Sequence, residues 1–203
     1  MFELMFSSPA ALFIFVVTIG LSLQTLFANP ALLDKLMLRP YEVAHERKWW
    51  QLITSGFIHG DMMHLIFNML TFFFFAFALE QYLGSLQFLI VYFGSMILAD
   101  VSSIFKNKNN PNYASLGASG AIAGVMFSFI LFNPTATLSL LILPIPIPAP
   151  IFAVLYLAYS YFSGKQQYDN VNHEAHLWGA VAGFFLTILL YPGVIQHFMN
   201  EVF

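Results

Sequence analysis

The chain has 203 residues, 59% of them hydrophobic and only 8% charged, with a mean hydropathy of +0.76, whereas a soluble globular domain carries about 25% charge. That composition describes an integral membrane protein folded as one domain over residues 1–203, with room for five to seven spans of ~20 residues and little else. A net charge of −3 with seven basic residues excludes the basic surface that phosphate backbones need, so nucleic acid is not a partner; the absence of cysteine excludes disulfides, thiolate zinc sites and cysteine nucleophiles.

Charges and turn residues cut the chain into six predicted spans, at residues 9–28, 62–81, 86–105, 116–133, 149–163 and 173–195. The first follows "MFELMFSSP", which has no positive n-region, and reads as a retained helix rather than a cleaved signal peptide. Between the first two spans lies "NPALLDKLMLRPYEVAHERKWWQLITSGFIHGD", which carries charge, proline and the pair Trp49 and Trp50. It reads as a folded interfacial loop, with the tryptophans as headgroup anchors. The second span opens with "HGDMMHLIFNML", in which His64 and Asn68 are four apart and share one helical face.

The polar turn "KNKNNPNYAS" leads into "ASLGASGAIAG", which puts Ser119 at the start of the fourth helix, with Gly120 and Gly124 behind it. "ILPIPIPAP" cannot be a regular helix, because alternating prolines remove donors and fix φ, so the fifth span is short. The sixth opens with "NHEAHLWGAVAG", where Gly179 and Gly183 follow on nearly the face of His176. No internal repeat or inverted half is visible.

Each cluster has an ordinary explanation. Small residues four apart let helices approach closely, serines commonly bond back to their own helix, and histidines near helix ends serve at interfaces. Combined, they suggest a chemistry. If the glycine faces of helices four and six meet, Ser119 and His176 come within hydrogen-bond reach, pairing a weak alcohol nucleophile with a general base. His64, Asn68 and the Ser119 N–H are then candidate donors to a tetrahedral oxyanion. A metal site is the weaker reading, because His59–His64 and His173–His176 have the wrong spacing for HExxH and Glu174 is misplaced. A proton relay through intramembrane histidines, Glu80 and Asp100 is a third reading, and it leaves the serine and its glycines unexplained.

These residues resemble the rhomboid family of intramembrane serine proteases. The resemblance rests on a tryptophan-bearing loop before helix two, "HGDMMHLIFN", "GASG" opening helix four and "AHLWGAVAG" in helix six, in the family's order, with Glu80 and Gly84 at the end of helix two. It implies an all-α, polytopic bundle of six transmembrane helices, the bacterial six-helix core, and a serine endopeptidase without cofactor or metal. Ser119 would be the nucleophile and His176 its base. His64, Asn68 and the Ser119 amide would form the oxyanion hole, and His59, Gly117, Gly120, Gly179 and Gly183 would support the site. Its substrates would be single-pass membrane proteins, cut near the membrane surface and entering from the lipid bilayer past helices two and five. A rhomboid-like protein that is catalytically silent and binds membrane clients is the alternative.

Three features depart from the family pattern. The loop-one Trp-Arg pair is Trp50-Gln51, so the arginine's ion pairing is lost. Ala123 stands where many members place an aromatic ring under the histidine. Every Lys and Arg falls in the first, third or fifth connection, which by the positive-inside rule would put those loops in the cytoplasm. The family arrangement is the reverse, with cytoplasmic termini and an outward-facing site in the bacterial inner membrane. It is the orientation expected here, because loop one is large and partly membrane-embedded.

Overall fold

The computed structural model describes residues 2–139, 145–166 and 171–203, and it is built almost wholly of helices. A short α1 (Phe2–Phe6) precedes α2 (Pro9–Leu23), which Pro9 opens with a preset φ and which a π-turn over Gln24–Ala28 extends. Loop one is folded, as its mixed composition suggests, into α3 (Ala31–Leu36), α4 (Pro40–Glu46), α5 (Gln51–Thr54) and a 3₁₀ turn over Ser55–Phe57. Next comes α6 (Met62–Leu83), capped by the Asp61 carboxylate, which accepts from the His64 N–H at 2.8 Å. Gly84, at φ +78°, turns the chain directly into α7 (Ser85–Asn107).

The central α8 (Ser119–Phe132) leads through β1 (Thr137–Leu138), paired antiparallel with β2 (Ile147–Pro148), to α9 (Ala149–Gln166). The start of the proline-rich run, at residues 142–144, lies outside the described residues. The chain then continues through α10 (His173–Leu190) to α11 (Gly193–Val202).

Against the six expected spans, four helices among the described residues are long and apolar enough to cross a membrane: Pro9–Ala28, Met62–Leu83, Ser85–Asn107 and His173–Leu190. The fourth expected span is the 14-residue α8, about 21 Å long at 1.5 Å per residue, against a hydrocarbon core of ~30 Å. It can be short because nearly all its side chains are buried in protein, so its ends need not meet lipid. In the fifth, α9, the tyrosines, serines and Lys165 dilute the apolar run. The sixth ends at Leu190 instead of residue 195, because Pro192 pushes Tyr191 out of the helical region, to φ −140° and ψ 75°.

Two polar devices hold the frame. Glu80, buried in α6, accepts from the Ala10 and Ala11 N–H groups at 3.1 and 2.7 Å and from Ser85 Oγ at 2.6 Å, so a carboxylate from another helix satisfies the start of α2. In loop one, Gln51, which stands where the family pattern has arginine, ties two segments together. Its side chain is buried, with Oε1 accepting from the Arg39 N–H at 2.9 Å and Nε2 donating to Glu42 Oε2 at 2.8 Å. Lys48 pairs with Glu42 at 2.9 Å and with Glu46 at 3.0 Å, and Arg39 pairs with Asp34 at 3.1 Å.

Partial burial opposes ionisation of Glu42, but the hydrogen bonds from Lys48 and Gln51 prevail and hold its carboxyl below the usual range. Its pairing therefore contributes at neutral pH and is lost as the pH falls through that lowered value. Gln51→Ala is expected to destabilise the protein by about 1–3 kcal/mol, because it strands two partners in loop one. Thermal unfolding in detergent measures this, and an unchanged midpoint would show that the loop does not depend on Gln51.

Candidate active site

Ser119 is the first residue of α8, and His176 lies in the first turn of α10. Two glycine pairs bring these helix starts together. A Cβ on Gly179 would run into the Gly120 carbonyl, and one on Gly183 into the backbone of Gly124. Lower down, Thr187 Oγ1 donates to Ser128 Oγ at 2.7 Å, and Ser128 Oγ lies 2.8 Å from the Gly124 carbonyl and 3.1 Å from that of Gly183. Lipid tails are as apolar as the side chains, so this close backbone packing and these polar ties hold α8 against α10. At the top of the seam, His176 Nε2 lies 2.7 Å from Ser119 Oγ.

The start of α10 is itself fixed. Asn172 Oδ1 caps it by accepting the Ala175 N–H at 3.1 Å, while Asn172 Nδ2 donates to Ser103 Oγ of α7 at 2.8 Å. Lys106 of α7 pairs with Glu174 at 2.8 Å. Ala123 is buried, and among the described residues His173 packs beside His176, edge-on with ring centroids 6.0 Å apart; His173 also meets Tyr159 of α9 edge-on at 5.3 Å.

The third component gathers around Gly117, two residues before the serine. Its φ is +113°, and a Cβ there would lie 2.8 Å from His64 Nε2 and 3.6 Å from Asn68 Nδ2. Two side-chain nitrogens thus converge on the loop that enters α8, and both the backbone conformation and the space require glycine. His59 stands behind them. It is fully buried, with Nε2 accepting from Asn68 Nδ2 at 2.8 Å and its ring edge-on to His64 at 4.8 Å. The proton therefore sits on Nδ1, which faces Ser22 Oγ at 2.9 Å, and that hydroxyl donates onward to the Phe57 carbonyl at 3.1 Å.

Burial, helped by His64 and opposed by Asp61, holds the His59 imidazole down to about 3 from its ordinary 6.5. A neutral ring is what this hydrogen-bond chain needs. The sign follows: the unfolded chain takes up the proton first, so stability from His59 is complete above its ordinary value and is lost as the pH falls toward about 3. The unfolding midpoint is expected to drop on acidification from about pH 7 to 5, and His59→Gln, which does not titrate, should flatten that slope. Parallel slopes in the two proteins would contradict this assignment.

Behind Ser119 lies a cavity of about 20 Å³, lined by Ser55, Asp100, Ser115, Gly117, Ser119 and Asn172 among others. Ser55 Oγ donates to Asp100 Oδ2 at 3.2 Å. Asp100 and Glu80, the carboxyl groups of the proton-relay alternative, have these partners in the fold: Asp100 holds Ser55, and Glu80 the start of α2. Ser55, Asn172 and Ser128 are not among the residues that the sequence motifs point to. Of the three, only Asn172 carried a local signal, as a side chain suited to the N-cap of the sixth span.

The Rhomboid domain model matches residues 46–193, about three quarters of the chain. Among curated relatives, YdcA and GluP of Bacillus subtilis (strain 168) both carry rhomboid protease in their names. They are 35% and 26% identical over 142 and 143 residues, each match covering 70% of this chain. Inactive RHOMBOID-like protein 8 of Arabidopsis thaliana is 29% identical over 84 residues, or 41% of this chain. The matched stretch spans 67% of the length of YdcA, 26% of GluP and 24% of the Arabidopsis protein.

Proposed function

The chain belongs to the rhomboid family, and from that premise we propose that it is an intramembrane serine endopeptidase working through Ser119 and His176. The observation that carries the proposal is the 2.7 Å contact between Ser119 Oγ and His176 Nε2 at two helix starts, beside donors that converge on Gly117. His176 Nε2 takes the hydroxyl proton as Oγ attacks the substrate carbonyl carbon. The oxyanion is met by His64, Asn68 and the Ser119 N–H, which has no acceptor within its own first helical turn. His176 then hands its proton to the departing amine as the C–N bond breaks. A water gives a proton to His176 Nε2 as its oxygen attacks the acyl carbon, and that proton passes to Ser119 Oγ as the acyl–Oγ bond breaks and the acid product leaves.

In this reading residues 1–203 act as one membrane domain. The substrates are single-pass membrane proteins, which reach the site from the bilayer. The short α8 keeps Ser119 below the membrane surface, so cleavage falls near one face, taken here as the outer face of a bacterial inner membrane. A substrate helix must unwind there, because its peptide groups are already bonded internally.

The relative named as inactive supports a second reading, a silent protein that binds membrane clients. Against it stands the close approach of Ser119 to His176. The test is cleavage of a single-pass membrane substrate by the purified protein in liposomes without added metal. Wild type is expected to cut and Ser119→Ala to leave the substrate whole. Cutting by Ser119→Ala would refute the proposal, and intact substrate that is bound by both proteins would favour the second reading.

A further inference from the structure

We propose that Asp100 is a positioning residue for the loop that delivers the nucleophile, acting through Ser55; this rests on Ser119 being that nucleophile. Asp100 lies on α7 inside a predicted span, where an ionisable side chain is costly to keep and is usually functional. Its Oδ2 accepts from Ser55 Oγ at 3.2 Å, and the carbonyl of the same Ser55 accepts from the Gly117 N–H at 2.9 Å. Gly117 is the residue at φ +113° that faces His64 Nε2 and Asn68 Nδ2.

Glycine populates both signs of φ about equally, so its conformation is set by whatever binds its single N–H. Here that acceptor sits on a two-turn segment, α5 and the 3₁₀ turn, and the carboxylate ties this segment to α7. Two residues earlier the loop is already pinned, because Ser115 and Leu38 exchange N–H···O bonds of 2.9 Å in both directions. With one end held by Leu38 and the other continuing into α8, the Ser55 carbonyl decides the orientation of Gly117, and with it the register of Ser119 against His64 and Asn68. Asp100 touches none of the reacting atoms in this scheme. It acts on the chemical step through the loop, not on substrate binding.

Three variants test the assignment. Asp100→Leu removes the acceptor, Ser55→Ala removes the donor, and Asp100→Asn keeps an acceptor oxygen. In the liposome cleavage assay, Asp100→Leu and Ser55→Ala are each expected to lower kcat by about tenfold or more with KM within about twofold. Asp100→Asn should stay within about threefold of wild type, and the double variant Asp100→Leu/Ser55→Ala should be no worse than the poorer single one. Hydrogen exchange over residues 115–118 should speed up in Asp100→Leu and Ser55→Ala and stay slow in Asp100→Asn.

Unchanged kcat in Ser55→Ala, equal losses in Asp100→Asn and Asp100→Leu, or additive losses in the double variant would overturn the proposal. Should Asp100→Leu fail to fold, Ser55→Ala decides alone, because it deletes a single oxygen. If wild type does not cleave, the nucleophile assignment fails on its own account. Exchange over residues 115–118 in Ser55→Ala still reports whether this tie holds the loop.

Discussion

Ser119→Ala and His176→Ala are each expected to lower peptide cleavage by on the order of 10⁴-fold or more, and the double variant to lose no more than the poorer single one. In the proposed mechanism the two groups act as one unit. Without the imidazole, a serine hydroxyl has no acceptor for its proton as it attacks; without the hydroxyl, the imidazole has nothing to activate. Their 2.7 Å separation is that of a bond already formed, so neither has to be brought into place by substrate. A serine-reactive fluorophosphonate separates this chemistry from client binding, because it needs no membrane substrate. Wild type is expected to label, and both single variants to remain unlabelled in detergent. Labelling that persists in Ser119→Ala would place the nucleophile elsewhere, and losses that multiply in the double variant would mean that serine and histidine work independently.

The second large effect is expected from residues that do no chemistry. Gly179→Ala and Gly183→Ala each place a methyl group against the backbone of α8, at Gly120 and Gly124. Backbone cannot rotate away as a side chain can, so the helices must separate, at a cost of about 1–3 kcal/mol in packing. Such a separation acts at the top of the same seam, where a shift of ~1 Å is enough to cost about 10²-fold in rate. Both variants should therefore lose activity by about that factor and melt earlier. Gly20 on α2 is the control, since a Cβ there meets nothing within 4 Å and Gly20→Ala should leave activity intact. If Gly179→Ala and Gly20→Ala behave alike in both assays, the seam is not what sets the position of the dyad.

Much of this site is legible in the sequence because its parts obey local rules. Asp61 three residues before His64 is a capping signal, His64 and Asn68 share a face by helical period, and the glycine pairs repeat at the spacing of close helix packing. Family membership, the multi-pass membrane character and the folded loop one follow from the same kind of reading. The number of full spans does not. Hydropathy treats α8 as any apolar stretch, whereas its length was free to shrink once other helices enclosed it. Residues 173–195 read as one span because Pro192 sits among apolar residues, yet the backbone breaks there.

The amino-acid sequence by itself determined which chemical groups this protein owns and where along each helix they stand, because periodicity, capping and turn formation link residues only a few positions apart. Only the tertiary structure decided which group meets which. Glu80 finds the start of α2 across 69 and 70 residues of chain, Asp100 finds Ser55 across 45, and Gln51 bridges Arg39 and Glu42 across 12 and 9. Leaving a buried polar atom unbonded is costly, but its type does not name its partner. Packing chooses the partner by bringing one of many candidates within 3 Å or so, and no rule of local spacing carries that choice.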